Sequence, residues 1–486
     1  MLHNYVMSTR THSDDTPATG FARGFASLES EVEVAELPVT GELPEWLSGE
    51  LLRNGPAKFE AGRRRFRHWF DGQAMLHRFA IADGRVAYRN RFLDSPALRS
   101  ARDGRIRYAE FATDPCRSLF ARLFTRFRRS EPSANACVNV VPNGDDTYAA
   151  LTEIPMAVDF DPHTLETIGI SGYDDSIGGN VTTAHPHQAP RTGDLVNYVL
   201  RFSRQSEYRI YRQRPDGRTR ELLASVPTDQ PGYLHSFAIT EDHVVLVEFP
   251  FVVNPLAFLL SGKPFIENYR WRPELGTRFI VIGLDDGSVR SVRTEEAFFA
   301  FHHINSYVDG GELVVDVCAY PDSGVVDSFY LDRLRSGARM PVPAPMRYRV
   351  DLDAGTARSH RLAEEPLELP GISYGHRNGR PYRCAYGVGM RGHDGRDFLD
   401  QLVKIDVEDG RSSTWYEGGC YPGEPVFVPA PEAEAEDDGA VLSVVLDSAA
   451  GRSFMLALDG RSFTEIARAE VPHAIPFGFH GQFSSR

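Results

Sequence analysis

Four short histidine motifs are spread over most of this chain. TTAHPHQ carries His185 and His187, YLHSFAITED carries His235, FHHINSY carries His302 and His303, and GFHGQF carries His480. Neutral imidazole binds first-row transition metals, and four imidazoles without a thiolate suit iron, copper, zinc or nickel. Taken one at a time, each of the 16 histidines is more often an ordinary hydrogen-bonded residue. What sets these apart is a shared setting among small, aromatic and β-type residues (AHP, LHS, FHH, FHG), which fits strand ends. Ligands so far apart in sequence can meet only in a closed fold that brings distant strands to one axis.

Metal-bound histidines commonly pass their second N–H to a carboxylate, which fixes the ring's orientation. Three glutamates lie in otherwise apolar stretches: Glu153 in ALTEIPM, Glu368 in PLELPGISY and Glu424 in YPGEPVFV. A carboxylate in such surroundings is costly unless it is paired. The alternative is an exposed glutamate on an edge strand.

The elements that would position these residues are β-strands. Short β-type runs such as HVVLVEF, RFIVIGL, ELVVDVCAY and AVLSVVLD recur, with turn residues between them. One pattern repeats: a β-run, a turn marked by Asp or Gly, and a second β-run. It occurs around Gly84, His163, Gly217, Gly287, Gly355, Gly410 and Gly460. Seven hairpins, each completed by an inner pair of strands, predict an all-β, seven-bladed propeller, with an irregular β-sandwich as the alternative. No linker divides the chain, so residues 26–486 are expected to be one domain behind a disordered tail over residues 1–25. One segment departs from the pattern. CRSLFARLFTRFRR, residues 116–129, sets Leu119, Phe120, Leu123, Phe124 and Phe127 on one helical face, with arginines mostly elsewhere. Such a helix either lies in a membrane interface or packs on the protein's own core. FVVNPLAFLL, residues 251–260, is a second apolar stretch, interrupted by Pro255 and too short to span a bilayer.

Composition narrows the classes further. The 486 residues are 42% hydrophobic and 25% charged, the make-up of a soluble globular protein. A net charge of −14 argues against nucleic acid as a partner, because phosphate binding needs a basic face. The five cysteines, Cys116, Cys137, Cys318, Cys384 and Cys420, are odd in number and show no CxxC spacing, so reduced thiols in a cytoplasmic setting are expected. The N-terminal residues have no cationic start followed by an apolar run, and no apolar stretch reaches the length of a spanning helix.

The motifs together resemble the carotenoid cleavage oxygenases. The resemblance runs from Gly41 to Phe483. Besides the histidine motifs it takes in LLRNGP, HWFDGQAMLHRF, GTRFIVI, PYRCAYGVG and EDDGAVLSVVLD. ENYRWRPELGTRF, FHHINSYVDGGELVVDVCAYPD and DPC look most like the animal branch, which holds β-carotene oxygenases and the visual-cycle retinoid isomerase. The resemblance implies a seven-bladed propeller with a helical and loop cap over its top face. It implies ferrous iron, Fe(2+), held by His185, His235, His302 and His480, in preference to His187 and His303. Glu153, Glu368 and Glu424 would orient His235, His302 and His480 respectively, with no such carboxylate for His185. Thr152 would crowd an open metal position, and Phe111 and Tyr233 would line the substrate pocket. The implied reaction is dioxygenase cleavage of one double bond of a carotenoid or apocarotenoid to aldehydes, retinal among them if β-carotene is cut at its centre. O2 and a hydrophobic polyene are then the reactants. A membrane surface is the implied source of substrate, and the chain is peripherally attached to it.

Rival activities within the resemblance are stilbene cleavage and retinoid isomerohydrolysis. The lysine expected of stilbene-cleaving members is missing from NVVPNGDDTYAALTE. From other classes, a non-catalytic propeller scaffold would have lost a ligand histidine, and a calcium-dependent propeller hydrolase would need oxygen ligands. The helical face at 116–129 yields a direct test: Phe120→Ser with Phe124→Ser is expected to release the protein from liposomes. Unchanged co-sedimentation with vesicles would assign that face to the protein's own core.

Overall fold

The computed structural model describes residues 20–115, 133–144, 146–215 and 217–485. Within these residues, antiparallel sheets of four to six strands form the seven blades of a propeller, accompanied by two small two-stranded ribbons. The seven hairpins expected from the turn residues are all present, and each is the outermost hairpin of a different blade. The turn chemistry is what places them. Gly84, between strands Gln73–Ala82 and Arg85–Phe92, has φ +72°, a left-handed conformation that glycine adopts without strain.

The ring is closed at both ends of the chain. Strand Gly481–Ser484 is added to Gly49–Lys58 as the inner strand of the first blade. Strand Val39–Gly41 is added to Glu465–Glu470 as the outer strand of the last blade. Alternating apolar residues on the two blades fuse into one buried layer that includes Leu51, Phe79, Leu442 and Met455. Similar layers join the third blade to the fourth and the fifth to the sixth.

The inner strands are irregular, and that irregularity frees side chains to face the axis. In the third blade the inner edge is only Val181–Thr182 and His187–Gln188, with His185 in the gap. In the fifth blade the long strand Phe299–Asp309 shifts register between Ala300 and His303, turning His302 off the regular pleat. In the first blade, Asn54 and the Phe479–His480 segment exchange backbone hydrogen bonds, Asn54 N–H to His480 O at 2.9 Å and Phe479 N–H to Asn54 O at 3.0 Å. That approach requires glycine: a Cβ on Gly55 would lie 2.4 Å from Gly478 Cα.

Insertions between strands gather over one face as the expected cap, built of loops and short helices. Segments from residues 93–115, 133–138, 249–276, 321–343 and 390–400 interlock there. Phe111 packs on Phe265, Trp69 on Phe329 and Phe398, and Met340 N–H bonds to Gly395 O. The expected amphipathic helix at 116–129 falls within residues 116–132, outside the described residues. The second apolar stretch forms a helix, Pro255–Leu260, capped by Asn254, with Leu256 60% exposed. Residues 20–25, expected as part of a disordered tail, are folded. Gly20–Phe25 form a 3-10 helix, because Phe25 is fully buried against Trp69, Phe398 and Phe477. Two aromatic anchors in a polar, glycine-containing stretch were enough to order it.

Gly55→Ala is expected to lower the melting temperature, because the new Cβ meets backbone that has no room to yield; overpacking of this kind costs about 1–3 kcal/mol. Gly172→Ala, where nothing lies within 4 Å of the new Cβ, is the control and should melt close to wild type.

Candidate metal centre

His185, His235, His302 and His480 converge: one ring nitrogen from each lies within 4.8 Å of all the others. His185 Nε2 stands 3.2 Å from His235 Nε2, and His302 Nε2 stands 3.2 Å from His480 Nε2. Neighbouring blades are laced together directly behind these rings. The Thr183 hydroxyl donates to His235 O and accepts from His185 N–H at 3.1 Å. Ser236 Oγ donates to Phe301 O at 2.7 Å, and Asn139 Nδ2 donates to Ala184 O at 2.9 Å.

The three glutamates occupy the places read from the sequence. Glu153 Oε1 is 2.7 Å from His235 Nδ1, Glu368 Oε2 is 2.6 Å from His302 Nδ1, and Glu424 Oε1 is 2.6 Å from His480 Nδ1. Among the described residues no ion pair involves His185, the half-buried member of the set. Every blade therefore supplies one residue to the centre. In blade order from the first these are His480, Glu153, His185, His235, His302, Glu368 and Glu424.

The tautomers follow from these contacts. A carboxylate accepts the Nδ1 proton of His235, His302 and His480, so each Nε2 carries a bare lone pair. The His302 and His480 lone pairs, 3.2 Å apart, repel unless a cation sits beside them. The chemistry of this donor set therefore fits a divalent transition metal. Burial holds the His480 imidazole down to about 4, and burial together with the neighbouring imidazoles holds His185 well below its usual range. His235 is lowered by burial, against the opposing pull of Glu153. Burial pushes Glu368 and Glu424 up, but His302 acting on the first, and His480 with Arg53 on the second, leave both carboxyls below their ordinary value. These shifts favour neutral His185, His235 and His480 and ionised Glu368 and Glu424, the state in which imidazoles can bind a metal.

The remaining sequence candidates fall around this core. Phe111 is half-buried, its ring 5.8 Å from Tyr233 and 5.1 Å from Phe70, which in turn lies 5.9 Å from His235. Tyr233 is buried, and its hydroxyl donates to Glu153 Oε1 at 2.6 Å, so it holds the carboxylate as well as presenting an aromatic face. Burial keeps that phenol protonated. Thr152 is half-buried and adjoins Glu153. His187 and His303 are turned away: His187 Nε2 meets Phe237 O at 3.0 Å, and His303 Nδ1 meets Ser236 Oγ at 2.8 Å.

Sequence reasoning missed Arg53. Its guanidinium is buried, with Nη1 2.5 Å from Glu424 Oε2 and Nη2 donating to Phe479 O at 2.8 Å. The available signal was an arginine inside the apolar run LLRNGP. The aromatic wall of Phe70, Phe301 and Phe479 was also missed; Phe301 lies 5.3 Å from the His235 ring.

Comparison with known proteins agrees with this geometry. The sequence model described as retinal pigment epithelial membrane protein matches residues 25–485. A carotenoid isomerooxygenase of Galleria mellonella is 36% identical over 95% of this chain and 96% of its own. The human β,β-carotene 15,15'-dioxygenase is 32% identical over 94% of this chain and 93% of its own. Among solved structures, a cobalt-substituted Synechocystis ACO superposes with a TM-score of 0.84 at 26% identity, covering 96% of this chain and 98% of its own.

Acid should destabilise the metal-free protein. The unfolded chain takes up a proton on histidine near pH 6.5, whereas folded His480 resists until about 4. The unfolded state thus binds more protons between those values, and stability falls as pH drops through that window. The two depressed carboxyls act in the same direction. Urea midpoints are expected to decline from pH 6.5 towards 4, and a rise on acidification would contradict this picture.

Proposed function

We infer the function from one premise: the chain belongs to the retinal pigment epithelial membrane protein family, whose relatives include carotenoid-cleaving dioxygenases. It is a carotenoid-cleaving dioxygenase, and its cofactor is Fe(2+) held by His185, His235, His302 and His480. The observation that carries the reading is the meeting of four imidazoles, three of them fixed by carboxylates. One C=C bond of the polyene breaks and each carbon gains one oxygen atom of O2, leaving two carbonyl products.

Ferrous iron bound there would supply the activation of O2. The protein's own groups do the rest. Glu153, Glu368 and Glu424 accept the Nδ1 protons and so aim the Nε2 lone pairs inward. The phenol of Tyr233 keeps Glu153 in place. Phe70, Phe111, Phe301 and Phe479 form a dry wall beside the centre, suited to the flat face of a conjugated chain and able to exclude water. Thr152, next to Glu153 in the chain, would restrict one side of the metal.

A long polyene resides in lipid, so substrate is taken from a membrane surface. Among the described residues no helix is long and apolar enough to cross a membrane. Exposed Leu256 on Pro255–Leu260 supports shallow contact from the cap, beside half-buried Phe258, which packs on Phe265.

The purified protein is expected to hold about one iron per chain, the stoichiometry of a single four-ligand site. His302→Ala is expected to lose it, by metal analysis. Incubation with β-carotene and with apocarotenals should release aldehydes, and retinal alone from β-carotene would mean cleavage at the central bond. Zinc or calcium in place of iron, or iron retained by His302→Ala, would overturn the assignment.

A further inference from the structure

The three carboxylates behind the ligands are not equivalent. Glu153 is held by a neutral phenol, and Glu368 accepts the Leu369 N–H at 2.6 Å. Glu424 alone is paired with a cation. Arg53 meets its Oε2 at 2.5 Å, while Gly481 N–H donates to the same oxygen at 3.0 Å. Among the described residues no other Lys or Arg ion-pairs with any of the three glutamates. The guanidinium and the carboxylate are both buried, so solvent screens their charges weakly.

The contacts fix the charge that a metal must meet. Four neutral imidazoles add nothing, three carboxylates add three negative charges, and Arg53 cancels one of them. A dication makes the centre neutral, whereas a trication leaves one net positive charge in a buried site. The cost of a buried net charge rises steeply with its size. We propose that Arg53 is a positioning residue that sets this charge: it biases the centre towards a divalent metal and holds iron in the ferrous state by raising its reduction potential. This rests on the iron reading above and goes beyond it, because it assigns the oxidation-state preference to one side chain that touches no ligand histidine. Arg53 acts through Glu424 and His480, and its bond to Phe479 O keeps the guanidinium in register with the ligand strand.

The sign of each substitution follows. Arg53→Met gives the centre three negative charges, so ferric iron becomes the neutral form and the potential falls. Glu424→Gln leaves one negative charge, so both iron states carry net positive charge, the ferric state more, and the potential rises. The double variant returns to two negative charges, and Arg53→Lys keeps them. The test is a redox titration of the iron-loaded full chain, followed by the electron paramagnetic resonance of the ferric ion. Iron content and circular dichroism are measured on the same samples.

The expected result is a shift of at least about tenfold in the ferric-to-ferrous affinity ratio, about 59 mV for one electron, downward for Arg53→Met and upward for Glu424→Gln. The double variant and Arg53→Lys should lie near wild type. A purely structural role for Arg53 would not give opposite signs that cancel. An unchanged or lower potential in Glu424→Gln overturns the proposal, whether or not Arg53→Met folds, as does a double variant no lower than Glu424→Gln alone. If the wild-type chain holds no iron, the functional reading fails and takes this one with it. If it holds iron whose potential ignores these substitutions, only this proposal fails.

Discussion

Everything in this molecule answers to one repulsion. Each of three imidazoles donates its Nδ1–H to a carboxylate and must then bring a bare lone pair close to another ring nitrogen. Two such approaches are at 3.2 Å. Nothing local favours this arrangement. It is held by strands whose own hydrogen bonds and packing outweigh it, and it becomes favourable when a cation occupies the centre. The propeller suits this task because blades converge on an axis and each can offer one residue from an irregular inner edge while its outer strands stay regular. Closure by both chain ends matters for the same reason: His480 lies at the start of the closing strand Gly481–Ser484, so closing the ring and placing the fourth ring are one event.

The blades were legible in the sequence because their outer hairpins are local. An Asp or Gly turn between two β-runs is decided by a few φ/ψ values, and all seven turns read in that way mark outer hairpins. The inner strands are different. Val181–Thr182, His187–Gln188 and Ala238–Ile239 are each two residues long, too short to leave a period. Their position is set by contacts with neighbouring blades, such as Thr183 to His235 O and Ser236 to Phe301 O. No window of sequence contains both partners. Choosing His185 over His187, and His302 over His303, accordingly needed the family resemblance. In the structure the reason is geometric: His185, His235, His302 and His480 bring ring nitrogens together, while His187 and His303 are turned towards Phe237 O and Ser236 Oγ.

The errors are equally physical. The tail boundary was set by polarity, but two aromatic side chains, Phe21 and Phe25, bind the 3-10 turn to Phe398, Tyr421 and Phe477. Tyr233 was expected only as a pocket aromatic. Its ring does face Phe111 at 5.8 Å, yet its hydroxyl also fixes Glu153. One residue thus joins the wall that would touch substrate to the carboxylate that aims His235. Reactivity and substrate placement are coupled there, and a change of shape at Phe111 can reach the metal centre through two contacts.

That coupling bears on how such a protein can vary its substrate without losing its chemistry. The ligands and their carboxylates stand on blades, where a displacement would disturb the whole ring. Half of the aromatic wall belongs to insertions between strands: Phe70 lies in the turn Trp69–Asp71 and Phe111 in the segment 93–115. Loops tolerate changes that inner strands cannot. A polyene offers few hydrogen bonds, so the double bond presented to the metal is decided by where a rigid hydrophobic rod comes to rest. Substrate choice can therefore vary with the aromatic side chains on the loops, while the histidines and their carboxylates stay fixed on the blades. Tyr233, buried and bonded to Glu153, sits on the boundary and is free to do neither job alone.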